Sequence, residues 1–535
     1  MHKGYLCIVL HAHLPFIRHP EYEYFLEENW LFEAITETYI PLLDVFIRLL
    51  NEGIDFRITI SLSPTLIEML NDRLLRNRYK RHIENLIDLS DKEVYRTRGD
   101  INFEPVTRMY NERFRRIRYL FEDLYHRDIV AAFKALEQTG KIEIITSAAT
   151  HAFLPTLSKY PQAVRAQIKI GSALYRKFFR KEPEGIWLPE CGYEPGFDNY
   201  LKEEDIKFFF LETHGITCGN PSPGFNVYAP VVCPSGVFAF GRDVESSQQV
   251  WSSIFGYPGD FDYRDFYRDI GYDLECGHIK AFINQFGTKT YTGLKYYRIT
   301  GKTDHKEPYV IEQAKEKASE HANNFIQNRE LQIDFLSQTL KIKPVITATY
   351  DTELFGHWWF EGPEWLYFLF RGISRTRRNF KTVTPSEYLH LNTHQTEYLQ
   401  ACQPSMSSWG YKGYSEVWLN ESNDYVYPHI LKATERMIYL ADKFFEADNI
   451  QKRTLNQAAR ELLLSQQSDW TFMIRTGNTS EYARKRFAEH IGRFNYLYHS
   501  IITGNISREK LKEIEDIDNI FQKIDYRYFK SENDD

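Results

Sequence analysis

Six short apolar runs constrain this chain more than any other feature: Tyr5–Leu10, Phe56–Leu62, Ile142–Ile145, Gly185–Leu188, Ile206–Leu211 and Val345–Tyr350. They lack sustained polar alternation, so each reads as a strand covered on both faces. That pattern belongs to a parallel sheet wrapped in helices and favours an α/β barrel over a sandwich. A charged, helix-forming stretch at about 71–140 reads as an insertion between strands. Its basic run Arg113–Arg118 has Glu122 and Asp123 close behind, the mark of a solvated helix face and not of a nucleic-acid surface.

From about Pro385 the pattern becomes helical. Ile430, Ala433, Met437, Leu440 and Phe444 step by three and four, and Phe487, Ile491, Phe494, Tyr498 and Ile501 repeat the spacing. The expected organisation is a barrel over 1–385 and an all-α C-terminal domain over 386–535. The polar tail Ser531–Asp535 reads as frayed.

Bulk properties exclude several classes. A net charge of -7 gives no reason to expect a polyanionic partner. The six cysteines show no Cys-x-x-Cys pair, which reads as a reduced, cytoplasmic protein. The Tyr5–Leu10 run is too short for a signal sequence, and nothing approaches the roughly 20 apolar residues of a membrane span.

Chemistry concentrates around two carboxylates. Glu190 ends the run in Gly185-Ile-Trp-Leu-Pro-Glu-Cys-Gly-Tyr193, and Asp351 ends another just before Glu353-Leu-Phe-Gly-His357-Trp358-Trp359. Strand ends are where barrel enzymes keep their reactive groups. Two carboxyls facing one another among aromatic rings are the parts needed to cut a glycosidic bond. Either acid alone reads equally well as a structural ion pair, and Glu353 competes with Asp351. The company argues for a cleft, because several indoles are an inefficient core filling when each N–H needs a partner.

His11-Ala-His13, directly after the first strand, places both imidazoles on one face. With His151 they suit either a metal ion or a set of donors to substrate hydroxyls. Downstream, Arg242, Trp251 and Gly259 form a polar-aromatic stretch. Trp409 and Trp418 lie in a Gly-rich loop, and Asp469-Trp470 follows a helix. For each of these tryptophans a core role is as natural as a cleft role.

Taken in order, these segments resemble glycoside hydrolase family 57, and closest of all its subgroup of 1,4-α-glucan branching enzymes and a related bacterial cytoplasmic α-amylase. The resemblance spans nearly the whole chain. It implies a (β/α)7 barrel with a helical insertion and an all-α C-terminal domain. It also implies a retaining mechanism on α-1,4-glucans such as amylose, glycogen or maltodextrin, with no required metal or cofactor. By motif position Glu190 would be the nucleophile and Asp351 the acid/base. Arg242, Gly259, Trp409 and Asp469 would contact substrate, Trp30 and Trp251 would be aromatic gates, and His11, His13 and His151 would bind hydroxyls. His357, Trp358, Trp359, Trp418 and Trp470 complete the expected cleft.

One departure is visible. Branching members carry a long, tyrosine-bearing loop after the nucleophile, and the interval Cys191 to Val250 is short for it, which favours hydrolysis over branching. Readings from other classes are a metal-dependent hydrolase built on His11, His13 and His151, and a glucan-binding protein without turnover.

Overall fold

The computed structural model describes residues 2–252, 256–283, 287–375, 378–392 and 399–531. The end of the tail expected to fray, 532–535, lies outside them. The strands are β1 (Gly4–Ala12), β2 (Ile58–Leu62), β3 (Ile142–Ser147), β4 (Gly185–Trp187), β5 (Phe208–Leu211), β6 (Val231–Val232), β7 (Phe238–Gly241), β8 (Val345–Asp351), β9 (Phe380–Thr382) and β10 (Gln400–Ala401). Their order is β10-β6-β7-β5-β4-β3-β2-β1-β8, with β9 also on β1. From β8 through β1 to β5 and β7 the seven strands run parallel. Asp243, just past β7, donates its N–H to the Thr347 carbonyl of β8 at 2.9 Å and draws the two edges together. All six expected runs are strands. The seventh, β7, is four residues long and too brief for its periodicity to be read.

Two cores explain the missing polar alternation. Tyr5, Cys7 and Val9 of β1 pack inside the barrel with Val345, Phe208, Phe210, Phe240 and Trp187. The intervening Leu6, Ile8 and Leu10 pack outward against the helices. A strand buried on both faces has little room for polar residues, and each large apolar side chain buried this way contributes roughly 1.5–3 kcal/mol.

Helices Arg73–Arg96 and Glu104–Tyr119 form the insertion. The all-helical portion comprises Val426–Lys443, Asn449–Ser465, Ser468–Thr476, Ser480–Thr503 and Arg508–Ile517. It therefore begins later than the expected position 386. After the helix Pro385–Asn392, the described residues from 399 on return to the barrel. There β10 pairs with β6, and Ser407 bridges to Tyr193. Among the described residues no helix is long and apolar enough to cross a membrane.

Gly171 lets the helix Pro161–Phe179 lie directly on β3, because a Cβ there would sit 2.3 Å from the Ser147 carbonyl oxygen. Gly171→Ala is expected to cost about 1–3 kcal/mol through overpacking. Thermal denaturation should show the melting temperature falling by several degrees.

Candidate active site

The inward series of β1 and β8 both end in a titratable residue at the barrel mouth. After Tyr5, Cys7 and Val9 comes His11, and after Val345, Thr347 and Thr349 comes Asp351. His11 and Asp351 are register partners, as are His11 and Ser61 of β2. Residues in register on adjacent parallel strands face the same way, so the three side chains share one floor.

Glu190 arrives differently. Behind β4 the chain makes a tight turn at Pro189–Cys191, in which Glu190 (φ 60°) and Cys191 (φ 50°) are both left-handed. Two successive non-glycine residues in that region store of order 1–3 kcal/mol each, a strain typical of sites where a side chain must be aimed. The turn is clamped from outside. Trp409 donates its backbone N–H to the Glu190 carbonyl at 2.9 Å, and Tyr193 and Ser407 exchange backbone bonds. The same Trp409 donates its indole Nε1–H to Glu190 Oε2 at 2.7 Å, and Ser468 Oγ donates to Oε1 at 2.7 Å.

Behind Ser468 lies a chain of hydrogen bonds. His151 Nδ1 is 2.9 Å from Ser468 Oγ, His11 Nε2 is 2.8 Å from His151 Nε2, and His11 Nδ1 is 3.1 Å from Ser61 Oγ. Because Ser468 gives its proton to Glu190, His151 donates through Nδ1. Burial pushes both His11 and His151 far below the usual imidazole range, helped by neighbouring His13, so both rings are neutral. His151 Nε2 then accepts from His11, and His11 Nδ1 accepts from Ser61. The tautomers follow from this network. His13 stands beside the chain, stacked on His151 at 3.7 Å. Its Nδ1 meets Ser63 at 2.9 Å and its Nε2 meets Asp469 at 3.0 Å. Burial opposes a charge on His13, but Asp469, Glu190 and Glu353 outweigh it and raise its pKa.

Burial raises the carboxyls themselves, Glu190 to about 7 and Asp351 to about 6. Asp469 pushes Glu190 further up against the donors Ser468 and Trp409, while Arg242 and His13 temper Asp351. Arg242 is held by Glu212 at 2.6 Å and by Ser247 at 2.9 Å. Glu353 accepts from Tyr39 at 2.5 Å and rises to about 7, through burial and then through the nearby Asp351. Between pH 6 and 7 each of these carboxyls is thus only partly ionised.

The expected cleft residues divide. Glu190, His11, His13, His151, Trp409 and Asp469 are linked into one network by the contacts above, while Asp351 lies in register with His11 and feels Arg242 and His13 electrostatically. Trp359, Trp418 and Trp470 are not cleft residues: each is 1 % exposed and packed in the core. The argument from indole N–H groups misled here, since Trp359 and Trp418 leave Nε1 without a hydrogen-bond partner among the described residues, and Trp470 donates to the Leu464 carbonyl. His357 is tied to Glu37 at 2.6 Å, and its neighbour Trp358 is 54 % exposed. The three residues after Gly356 therefore point three ways. Trp30 rests edge-on against Tyr482, Trp251 is half exposed, and Gly259 is the exposed end of the turn Tyr257–Gly259, whose Tyr257 is buried.

Sequence reasoning missed Ser61, Ser468, Glu212 and Tyr39. The register of a serine one strand over from His11 is the only signal that pointed to Ser61.

Among the described residues two clusters have the spacing of a metal site, His13/His151/Asp469 and Glu461/His490/Asp518. In the first, the facing nitrogens and oxygens already bond one another or Ser468. In the second, Arg493 meets Asp518 at 2.6 Å and Arg486 meets it at 3.4 Å, charges that a cation would have to displace. Both fit hydrogen-bonding networks better than ligand sets.

Ser468→Ala and Trp409→Phe each remove a donor from the Glu190 carboxylate. Donors favour the ionised form, so each variant should raise the Glu190 pKa by roughly 1–2 units. Carboxyl-selective infrared or carbon NMR titration would read the shift, and Ser468→Thr should restore it.

With this geometry established, comparison with known proteins is informative. Residues 7–406 match glycosyl hydrolase family 57, and residues 429–529 match the 1,4-alpha-glucan branching enzyme C-terminal family. The crystal structure of the alpha-amylase AmyC from Thermotoga maritima superposes with a TM-score of 0.92 and 44 % identity, covering 100 % of both chains. A family 57 branching enzyme from Pyrococcus horikoshii follows at 0.87 and 34 %, covering 99 % of this chain and 97 % of that one. A curated 1,4-alpha-glucan branching enzyme of Thermococcus kodakarensis is 35 % identical over 99 % of this chain and 79 % of its own length. The chain belongs to glycosyl hydrolase family 57.

Proposed function

We propose that this protein cleaves α-1,4-glucans by double displacement, with Glu190 as nucleophile and Asp351 as acid/base. The observation that carries the assignment is the unequal solvation of the two carboxyls. Both oxygens of Glu190 accept a hydrogen bond, from Ser468 and from Trp409, whereas no side-chain donor among the described residues meets Asp351. These donors favour the ionised form of Glu190; in the free enzyme burial and Asp469 still outweigh them and put Glu190 at about 7, above Asp351 at about 6, so the productive form with the proton on Asp351 is a minority species. Ionised Glu190 attacks the anomeric carbon while Asp351 protonates the departing glycosidic oxygen, and Asp351 then deprotonates the incoming acceptor. Arg242 and His13 support the charge that Asp351 carries after the first step.

His11 and His151 spend both ring nitrogens on protein partners, so their role in this reading is to hold Ser468, and through it Glu190, in place of contacting hydroxyls directly. Asp469 and Trp409 remain as substrate contacts beside their structural roles, with Trp30 and Trp251 as gates.

Water as acceptor gives hydrolysis, and a glucan 6-hydroxyl gives a branch. The short Cys191–Val250 interval and the 44 % identity to an α-amylase favour hydrolysis. Branching is the second reading, favoured by the match of residues 429–529 to a branching-enzyme domain. Amylose, glycogen or maltodextrin is the expected substrate. All six cysteines are unpaired, which suits a reducing, cytoplasmic setting.

Proton NMR of amylose incubated with the enzyme separates the readings. New reducing ends without α-1,6 signals mean hydrolysis, and α-1,6 signals with few reducing ends mean branching. Glu190→Gln should lower turnover by roughly 10⁴-fold or more while glucan still binds; normal turnover in this variant would remove Glu190 from the mechanism. The pH profile of kcat/KM should be a narrow bell with its maximum between pH 6 and 7. It falls below as Glu190 becomes protonated and above as Asp351 loses its proton. Excess chelator should leave the rate unchanged, and loss of activity would favour the metal-dependent alternative.

A further inference from the structure

The two carboxyls of the site are aimed by different means. Glu190 is held through both of its side-chain oxygens, but the Asp351 carboxyl makes no hydrogen bond or ion pair among the described residues. Its direction is set instead by the backbone that carries it, the end of β8 and the tight turn Thr352–Leu354. That turn continues into a compact loop. Phe355 donates its backbone N–H to Thr352, Trp358 to Glu353, Trp359 to Leu354 and Gly356 to Trp359. Misplacing a catalytic group by about 1 Å can cost on the order of 10²-fold in rate, so whatever anchors this loop bears on the chemistry.

The anchor lies between two helices that follow β1. Helix Glu28–Ala34 widens into the π turn Ile35–Tyr39 and then continues as Ile40–Asn51. Pro41 gives the reason: it has no N–H for the Glu37 carbonyl four residues back, and its ring presses that carbonyl aside. Every residue of the turn is buried. Such π turns are rare and recur at functional sites.

This turn meets the Asp351 loop in three places. Tyr39, 0 % exposed, donates its hydroxyl to Glu353 Oε1 at 2.5 Å. Glu37 Oε2 lies 2.6 Å from His357 Nδ1, and Arg264 stands 3.8 Å from Oε1. The Glu37 carbonyl faces Gly356, where φ is 112° and a Cβ would fall 1.9 Å from the oxygen. Any larger residue would push the loop off the turn. We infer that Tyr39 and Glu37 are positioning residues for Asp351: by bonding Glu353 and His357 and seating Gly356, the π turn fixes the direction in which Asp351 presents its proton. This rests on the reading of Asp351 as acid/base. Tyr39 is too buried to touch substrate and acts through Glu353.

The test compares two substrates on one enzyme preparation. A glycosidic oxygen needs a proton in order to leave, whereas fluoride departs with little help, so α-maltotriosyl fluoride senses attack by Glu190 but not the aim of Asp351. Asp351→Ala sets the reference. Its kcat/KM should fall about 10²–10⁴-fold on maltoheptaose and far less on the fluoride. Tyr39→Phe keeps the ring and removes only the hydroxyl. Its kcat/KM should fall about 10–100-fold on maltoheptaose and about twofold at most on the fluoride, a ratio that loss of folded enzyme does not alter. Glu353→Gln can still accept from Tyr39 and should lose only about threefold on maltoheptaose. Equal losses on the two substrates in Tyr39→Phe, or no loss on either, would overturn the positioning role if Asp351→Ala stays selective. So would a Glu353→Gln variant as impaired as Asp351→Ala, because Glu353 would then act on substrate itself. An Asp351→Ala variant that loses both substrates alike would instead overturn the assignment of Asp351, and this inference with it.

Discussion

The carboxylate of Glu190 is held by two hydrogen bonds from residues 219 and 278 positions further along the chain. Everything else at the site is arranged around that fact. A buried carboxylate without donors is costly enough that it takes up a proton instead. Trp409 and Ser468 favour the ionised form of Glu190 against its burial and aim it, and they also clamp a turn whose two left-handed residues have no local reason to persist. The barrel alone therefore cannot supply a working centre. Ser468 and Asp469 open a helix of the all-α portion, and Trp409 lies on a loop returning from the far edge of the sheet, so barrel, loop and helical domain meet at one side chain.

The three histidines show how the same residue type takes different states a few ångströms apart. His11 and His151 are buried, neutral and fully hydrogen-bonded, so they transmit position without adding charge. His13, stacked on His151, faces Asp469 and is biased toward the imidazolium. In the proposed mechanism a positive His13 ring eases the negative charge that appears on Asp351 after it protonates the departing oxygen. Hydrogen-bond partners, more than the rings themselves, separate the two states.

Whether water or a sugar accepts the glycosyl group depends on how well the closed site excludes water. The loop after Asp351 bears on this directly. Its residues fan out, with His357 toward Glu37, Trp359 into the core, and Trp358 outward over Phe266. The outward indole, stacked on Phe266 and 54 % exposed, is the most exposed of the three.

The sequence by itself determined the doubly buried strands, the placement of His11, Glu190 and Asp351 at their ends, and the helical C-terminal stripes. Each of these is written in local periodicity, which depends only on which faces of a segment are covered. β7 escaped because four residues carry too little periodicity. The start of the helical domain was drawn too early because the isolated helix Pro385–Asn392 precedes a return to the sheet. Tertiary structure alone decided which indoles face the cleft and which the core, for Trp409 and Trp418 sit in the same glycine-rich loop with opposite fates. It alone decided that Ser468, unremarkable in sequence, completes Glu190. Long-range hydrogen bonds join residues hundreds of positions apart, and no local pattern encodes which distant donor a buried carboxylate will find.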